Sequence, residues 1–225
     1  MTVAPVITPA DAEAAADLLA TARAEGRCVL PRGRGTRVAR HSPESAPDLW
    51  LSSSQWRTIH ALSPDDQTCE VDAGLAPSVL EAALAPHGLE LAVNAPGPAA
   101  GTLGGLFLAP DLSLLQAAWG PPRDQVLGAR WLLADGSVVN TGARVVKSVA
   151  GYDVTRLFLG SRGRLACCLR LILRLRPRPR AARWFRIDPA QLCRWLAADP
   201  PARIPARRLF STRHADGLRV CAELD

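Results

Sequence analysis

Lys147 is the one lysine among 27 basic side chains in this chain, and Tyr152 is its one tyrosine. They stand five positions apart in "KSVAGYD", residues 147–153. Everywhere else a positive charge is written as arginine and an aromatic ring as tryptophan or phenylalanine. An ammonium is a compact point charge and a phenol carries a titratable hydroxyl, and neither arginine nor tryptophan supplies these. The stretch is therefore a candidate site, set against the alternative that two rare residues fall together by chance. Two glycine loops suggest a second chemistry: "PRGRGT" at 31–36 and "GTLGG" at 101–105. Glycine lets main-chain N–H groups approach a ligand with no Cβ in the way, and successive N–H groups form a nest suited to a diphosphate. Neither loop has the G-x-G-x-x-G or G-x-x-x-x-G-K-[ST] spacing, so each alone reads as a tight turn. Together, joined by strands and one helix, they argue for a dinucleotide stretched between two subdomains.

The elements that must position these loops are legible in outline. "TPADAEAAADLLATARAEG" predicts a helix capped by Thr8, with Pro9 at its first position, Ala12, Ala15, Ala16, Leu19 and Ala22 on one face, and Gly26 as its stop. Short strands follow in "CVLPR", "DLWLSS" and "TCEVDAG", and Pro77 starts a helix closed by Gly88. After Arg123 the chain turns to β structure: "QVLGARWLL" and "SVVNTG" form a hairpin about Asp135-Gly136. "LACCLRLILRLR" alternates Leu169, Leu171, Leu173 and Leu175 with arginines, a strand with one wet face, and Pro177 and Pro179 end that domain. Residues 181–225 read as a helix capped by Asp188, a loop and a hairpin around "HADG". The fold class is α+β: two α/β subdomains, with a short C-terminal helix and hairpin.

Composition narrows the functions. With 225 residues, 48% of them apolar, the chain suits one domain with an appendage, 1–180 and 181–225. No apolar run reaches bilayer length and the first residues carry no signal-peptide pattern, so a cytoplasmic protein is expected, with peripheral attachment at the inner membrane left open. The six cysteines form no C-x-x-C pair and the four histidines lie apart, so neither a metal centre nor a disulfide framework is expected. The net charge of +6 is local: seven arginines and no acid lie between Arg170 and Arg186, leaving the rest at 20 basic against 21 acidic residues. A solvated strand face, or docking to an acidic partner or an anionic membrane, explains that run. Nucleic acid does not, for want of a basic helix or an aromatic stacking face.

Five stretches together resemble a known family: "LPRGRGTR", the segment from "DLWLSSSQW" through "HGLEL", "GTLGG", "RDQVLGARWLLADGSVV" and "VVKSVAGYDVTRLFLGSRGRLACCLRLILRLRPRP". In order and spacing they are similar to the FAD-binding domain of the vanillyl-alcohol oxidase (PCMH) type, and within it to the FAD-binding subunits of bacterial glycolate oxidase. The resemblance implies FAD between the two subdomains. Pro31, Arg32, Gly33, Arg34, Gly35 and Thr36 would cradle the diphosphate, with Pro96, Gly101, Thr102, Leu103, Gly104 and Gly105 on its other side. Lys147, Gly151, Tyr152 and Asp153 fall on the fixed positions of a stretch beside the flavin, and Gly160, Ser161, Gly163 and Leu165 on one that reaches the adenine end.

Departures from the family pattern are informative. Ser148 replaces an Asn, Arg164 and Ala166 replace a Thr and a Gly, and the loop 107–122 carries Asp111 where glycines and basic residues are expected. Covalent members have a histidine in the first loop; none occurs at 31–40, which implies noncovalent FAD. The 181–225 segment is short beside the family's cap domain and reads as a truncated cap. The implied activity is oxidation of a 2-hydroxy acid such as glycolate, with electrons leaving to a second flavoprotein or an iron–sulfur subunit. The alternative is a non-catalytic FAD-binding or assembly subunit of a multisubunit oxidoreductase. No catalytic base is assigned; Lys147, Tyr152, Arg123 and Asp124 are candidates near the ring.

Overall fold

A computed structural model describes residues 4–38, 46–93, 101–110, 113, 115–143, 153–181, 183–197, 208–214 and 217–224. Near the N-terminus, alanine sets the packing. Helix α1 (Ala12–Ala24) buries Ala15 and Ala22, and these small side chains let it lie close on a parallel three-stranded sheet. That sheet runs in the order β1 (Val6–Ile7), β3 (Leu49–Ser52), β2 (Val29–Arg32). The helix starts later than the Thr8-Pro9 pattern predicts. Its cap is Asp11, whose carboxylate accepts from the Ala14 N–H at 2.9 Å. The Pro9 carbonyl instead accepts from the Trp56 indole N–H at 3.1 Å, which ties residues 8–10 to the β3–β4 connection and outside the helix.

The second body is an antiparallel sheet in the order β4 (Ile59–Ser63), β5 (Thr68–Asp72), β9 (Cys167–Pro177), β7 (Val126–Leu132), β8 (Val138–Gly142), with β6 (Leu89–Leu91) also pairing with β9. The predicted alternation of β9 holds: Leu169, Leu171, Leu173 and Leu175 are buried. Leu171, Leu173 and Leu175 pack on α2 (Pro77–Leu84), α3 (Leu103–Leu108) and α5 (Val154–Phe158) through Leu80, Leu84, Leu103, Phe107 and Phe158. The β7–β8 hairpin turns at Asp135-Gly136 as expected, with Gly136 at φ 85° and Asp135 accepting from the Ser137 N–H and hydroxyl. Strand β4 is absent from the sequence reading; its "IHALS" is brought into the sheet by pairing with β5.

On the opposite face of β9 the arginine run is less free than its sequence suggests. Arg170 pairs with Glu70 at 2.8 Å and approaches Asp72 at 3.8 Å, and His60 bonds the same Asp72 carboxylate at 2.6 Å. The Arg176 guanidinium lies 4.7 Å from the centroid of the Trp119 ring, at the end of α4 (Gln116–Trp119). Two of the strand's arginines are therefore already engaged, whereas Arg178 and Arg180 are exposed.

The two bodies share a core of Ala15 and Leu51 from the first with Leu132, Cys167 and Leu169 from the second. Their backbones also touch at Gly74, where a Cβ would fall on the carbonyl oxygens of Ser53 and Trp56. A third sheet follows Pro177, in the order β10 (Arg183–Ile187), β12 (Gly217–Leu224), β11 (Arg208–His214), with α6 (Pro189–Ala197) between β10 and β11 in the chain. The helix and hairpin match expectation. The stretch 183–187, to which the sequence reading assigns no element, is a strand in register from Arg183↔Leu224 to Ile187↔Val220. The prolines and arginines before it obscure a short run, "RWFRI", of good strand formers. Among the described residues no helix is long and apolar enough to cross a membrane.

Candidate functional site

Strand β2 ends at Arg32 and the chain then bends through 33–38, opening a cleft between the two bodies. The whole of 31–36 lines it, facing Thr102, Gly104 and Gly105 at the start of α3 and Gly163 in the loop after α5. The loops meet closely. A Cβ on Gly33 would fall on the Thr102 hydroxyl, and one on Gly163, which sits at φ 77°, would lie 2.5 Å from Pro31 Cγ. The cleft is narrow, about 100 Å³, against several hundred Å³ for a pocket that encloses a whole ligand. It has the size of one segment of a ligand.

The charge of the lining is one-sided. Arg32, Arg34, Arg37, Arg162 and Arg164 border the cleft, and no carboxylate does among the described residues. The Arg32 guanidinium lies 5.6 Å from the Trp50 ring centroid, and its Nε is buried without a hydrogen-bond partner. Cys167 and Cys168 form part of the wall. Burial pushes the Cys167 thiol up to about 12, and burial together with the neighbouring Cys167 pushes Cys168 well above the usual thiol range. Both stay protonated and present apolar surface. A glycine-cradled, cationic slot suits a diphosphate.

The second glycine loop is built differently. Thr102 caps α3 by accepting from the Gly105 N–H at 3.2 Å. The Leu103 N–H donates to the Leu75 carbonyl at 2.9 Å and the Gly104 N–H to the Ala73 carbonyl at 2.7 Å. These amides anchor α3 to the turn after β5. At the other end of α3 the carbonyls of Phe107 and Leu108 accept from the N–H groups of Gly160 (3.2 Å) and Arg162 (2.8 Å). The helix thus holds the 160–164 loop of the cleft in place.

Other residues singled out from sequence fall elsewhere. Leu103 points into the core and Gly101 is buried beside the Thr102 cap; neither lines the cleft. Leu165 is half exposed and borders a separate depression with Arg23, Gly26 and Leu133. Asp153 caps α5, accepting from the Arg156 N–H at 3.3 Å, and pairs with the Arg156 side chain at 2.8 Å. Arg156 also reaches Asp124 at 3.1 Å, and Arg123 is exposed beside it. Pro96, Asp111, Lys147, Ser148, Gly151 and Tyr152 lie outside the described residues. Sequence reasoning missed Trp50, Arg37, Arg162 and the two thiols as cleft residues. Trp50 alone left a trace, since strand alternation places it opposite the buried Leu49 and Leu51.

Residues 3–142 match the family described as FAD binding domain. The chain is 30% identical over 174 residues to the mitochondrial D-lactate dehydrogenase [cytochrome] of Arabidopsis thaliana, covering 77% of this chain and 30% of that protein. It is 29% identical over 174 residues to glycolate oxidase subunit GlcD of Bacillus subtilis, covering 77% of this chain and 37% of that protein. Among solved structures, an alkyldihydroxyacetonephosphate synthase superposes with a TM-score of 0.67 at 18% identity, over 80% of this chain and 33% of that one. The chain spans about a third of the length of these relatives.

Proposed function

The chain belongs to the FAD binding domain family, and from that premise we propose that it is a glycolate oxidase-like subunit, passing electrons from a 2-hydroxy acid through FAD to partner subunits. The observation that carries this reading is the arginine-lined glycine cradle, which no carboxylate borders among the described residues, within and beside the matched residues. Residues 31–36 and Gly163 would hold the diphosphate, with Thr102, Gly104 and Gly105 lining the facing side of the cleft. Pro96, Gly101, Leu103, Lys147, Gly151, Tyr152, Asp153 and Leu165 are assigned to the cofactor by family resemblance, with residues 1–180 as the cofactor domain and 181–225 as a cap-like segment. FAD, when bound, supplies the two-electron chemistry of alcohol oxidation. The chain's own part is to neutralise the diphosphate with guanidinium groups and to keep water from it with Leu108, Cys167 and Cys168. Noncovalent attachment is supported by the lack of histidine at 31–40 and by thiols held in the protonated, unreactive form. The proposed setting is cytoplasmic, peripheral at the inner membrane, with a second flavoprotein and an iron–sulfur subunit as partners. The likeness to a protein named glycolate oxidase subunit GlcD supports that assembly.

A second reading, a non-catalytic FAD-binding or assembly subunit, is favoured by one observation: no histidine or carboxylate that could serve as a base lines the cleft among the described residues. A visible spectrum of the purified chain, followed by acid precipitation, tests the cofactor; yellow colour should pass entirely to the supernatant. Colour kept in the pellet overturns noncovalent attachment, and a colourless protein that takes up no FAD overturns the cofactor. Dye reduction with glycolate or D-lactate, in the presence of partner subunits, then separates the two readings. Turnover supports the first, and bound flavin that no 2-hydroxy acid reduces supports the second.

A further inference from the structure

If both glycine loops held a diphosphate through main-chain N–H groups, those groups would face the cleft. In the second loop they do not: the N–H groups of Leu103, Gly104 and Gly105 are committed to Leu75, Ala73 and Thr102. Opposite the first loop, an anion in the cleft would meet the guanidinium of Arg162 in place of those amides. We propose that the ligand's diphosphate is held by a side-chain clamp, with Arg32 on one lip and Arg162 on the other, and that this clamp selects a diphosphate ester over a monophosphate or an uncharged analogue. The identity of the ligand rests on the FAD reading; the clamp itself does not.

Arg32 is shaped for such a task in three ways. Its guanidinium is propped on Trp50, which limits the conformations it must give up when it binds. The loop is wrapped around it: Gly35 sits at φ 77°, and a Cβ there would fall on the Arg32 guanidinium. Its Nε–H is buried and unpaired, a state that is costly until an acceptor arrives. A solubilising arginine on an exposed strand end needs none of these features.

Arg162 carries a different mark. It is held at φ 57°, in the left-handed region where a side chain is strained, directly before Gly163 at φ 77°. Its N–H is pinned to the Leu108 carbonyl at 2.8 Å, so the conformation is enforced. Glycine would occupy this position without strain, yet the residue is an arginine bordering the cleft. With no carboxylate among the described lining residues, a dianion in the cleft would be met by cations at both lips at once.

The test uses the full chain stripped of flavin, and its variants R32Q, R32K and R162G. FAD, FMN and riboflavin are titrated by flavin fluorescence, and inorganic pyrophosphate is followed by thermal shift and by competition with FAD. In the wild type, pyrophosphate should raise the melting midpoint and compete with FAD. R32Q should raise the Kd for FAD about tenfold or more, as expected for loss of a charged hydrogen bond, and leave weak riboflavin binding unchanged. R32K keeps the charge but loses the planar fork and the stack, and should fall between. R162G should weaken FAD binding while raising the melting midpoint, because strain is released; it keeps the test decisive if R32Q folds poorly. FAD affinity within roughly twofold of wild type in folded R32Q and R162G overturns the clamp and leaves the FAD reading standing. A wild type that ignores FAD but binds pyrophosphate, with that binding lost in R32Q, keeps the clamp and removes the FAD reading.

Discussion

Residues 31–36 and 101–105 each combine glycines with one threonine, border the same cleft, and meet where Gly33 faces the Thr102 hydroxyl. In the first loop the glycines make room for a side chain: Gly35 leaves the space that the Arg32 guanidinium fills. In the second they make room for backbone. A Cβ on Gly104 would lie 3.0 Å from Ala73 Cβ and 3.1 Å from its carbonyl oxygen, and the loop's amides are bonded within the protein. One loop is a ligand-facing cationic rim, and the other is the seat of a buried helix that also carries the loop at 160–164. Glycine marks a close approach in both. What comes close is decided by the neighbour that a Cβ would meet, which lies far away in sequence.

The sharpest way to break this contrast is Gly104→Val. Its methyl groups would press on Ala73, and overpacking of this kind costs about 1–3 kcal/mol. The melting midpoint should fall clearly, while molecules that remain folded should lose less FAD affinity than R32Q does. An unchanged midpoint with lost flavin binding would instead make the second loop the ligand contact.

A second test asks whether the guanidinium groups of the cleft can stabilise charge on its wall. Five arginines line the cleft whose wall includes Cys167, yet burial holds its thiol at about 12. The folded state therefore keeps this proton more tightly than the unfolded chain, whose thiol titrates near 8.5–9. That contribution to stability is complete below about pH 8.5 and is lost as pH rises towards 12, by up to about 1.4 kcal/mol per pH unit. Denaturant melts at about pH 8 and about pH 10.5 should show the loss, and Cys167→Ala should make it shallower. At neutral pH a thiol reagent should label the exposed Cys28 and Cys193 and spare Cys69, Cys167 and Cys168. Rapid labelling of the cleft thiols would show that the cations outweigh desolvation.

Thr102→Ala, the mildest change, removes the cap of α3 and the contact that Gly33 makes with the second loop. About 1 kcal/mol of stability should go with the cap, read as a small drop in melting midpoint. The Kd for FAD should move by less than in R32Q, because the clamp residues are untouched.

Where sequence reading succeeded, the signal was local. The alternation of Leu169 to Leu175, Pro77 opening α2, Gly88 closing the turn after it at φ 63° and Asp135-Gly136 in the hairpin each appear where residue type and spacing put them. Where it failed, a distant partner intervened. Trp56 takes the Pro9 carbonyl and moves the first cap to Asp11. Strand β12 recruits residues 183–187 as a strand. Glu70, Asp72 and Trp119 engage Arg170 and Arg176, in a run that composition shows only as surplus charge.

The amino-acid sequence by itself determined that two glycine loops flank an α/β unit, that the strand carrying Leu169 to Leu175 has one apolar face, and that the chain carries an FAD-binding family pattern. These follow from backbone freedom and from side-chain periodicity, both properties of a few adjacent residues. Only the tertiary structure decided what each loop is for. Hydrogen-bond capacity is finite: an N–H that donates to Ala73 or Leu75 across the fold has no second bond of equal strength to offer a ligand. A guanidinium propped on Trp50 with an unpaired Nε still has one.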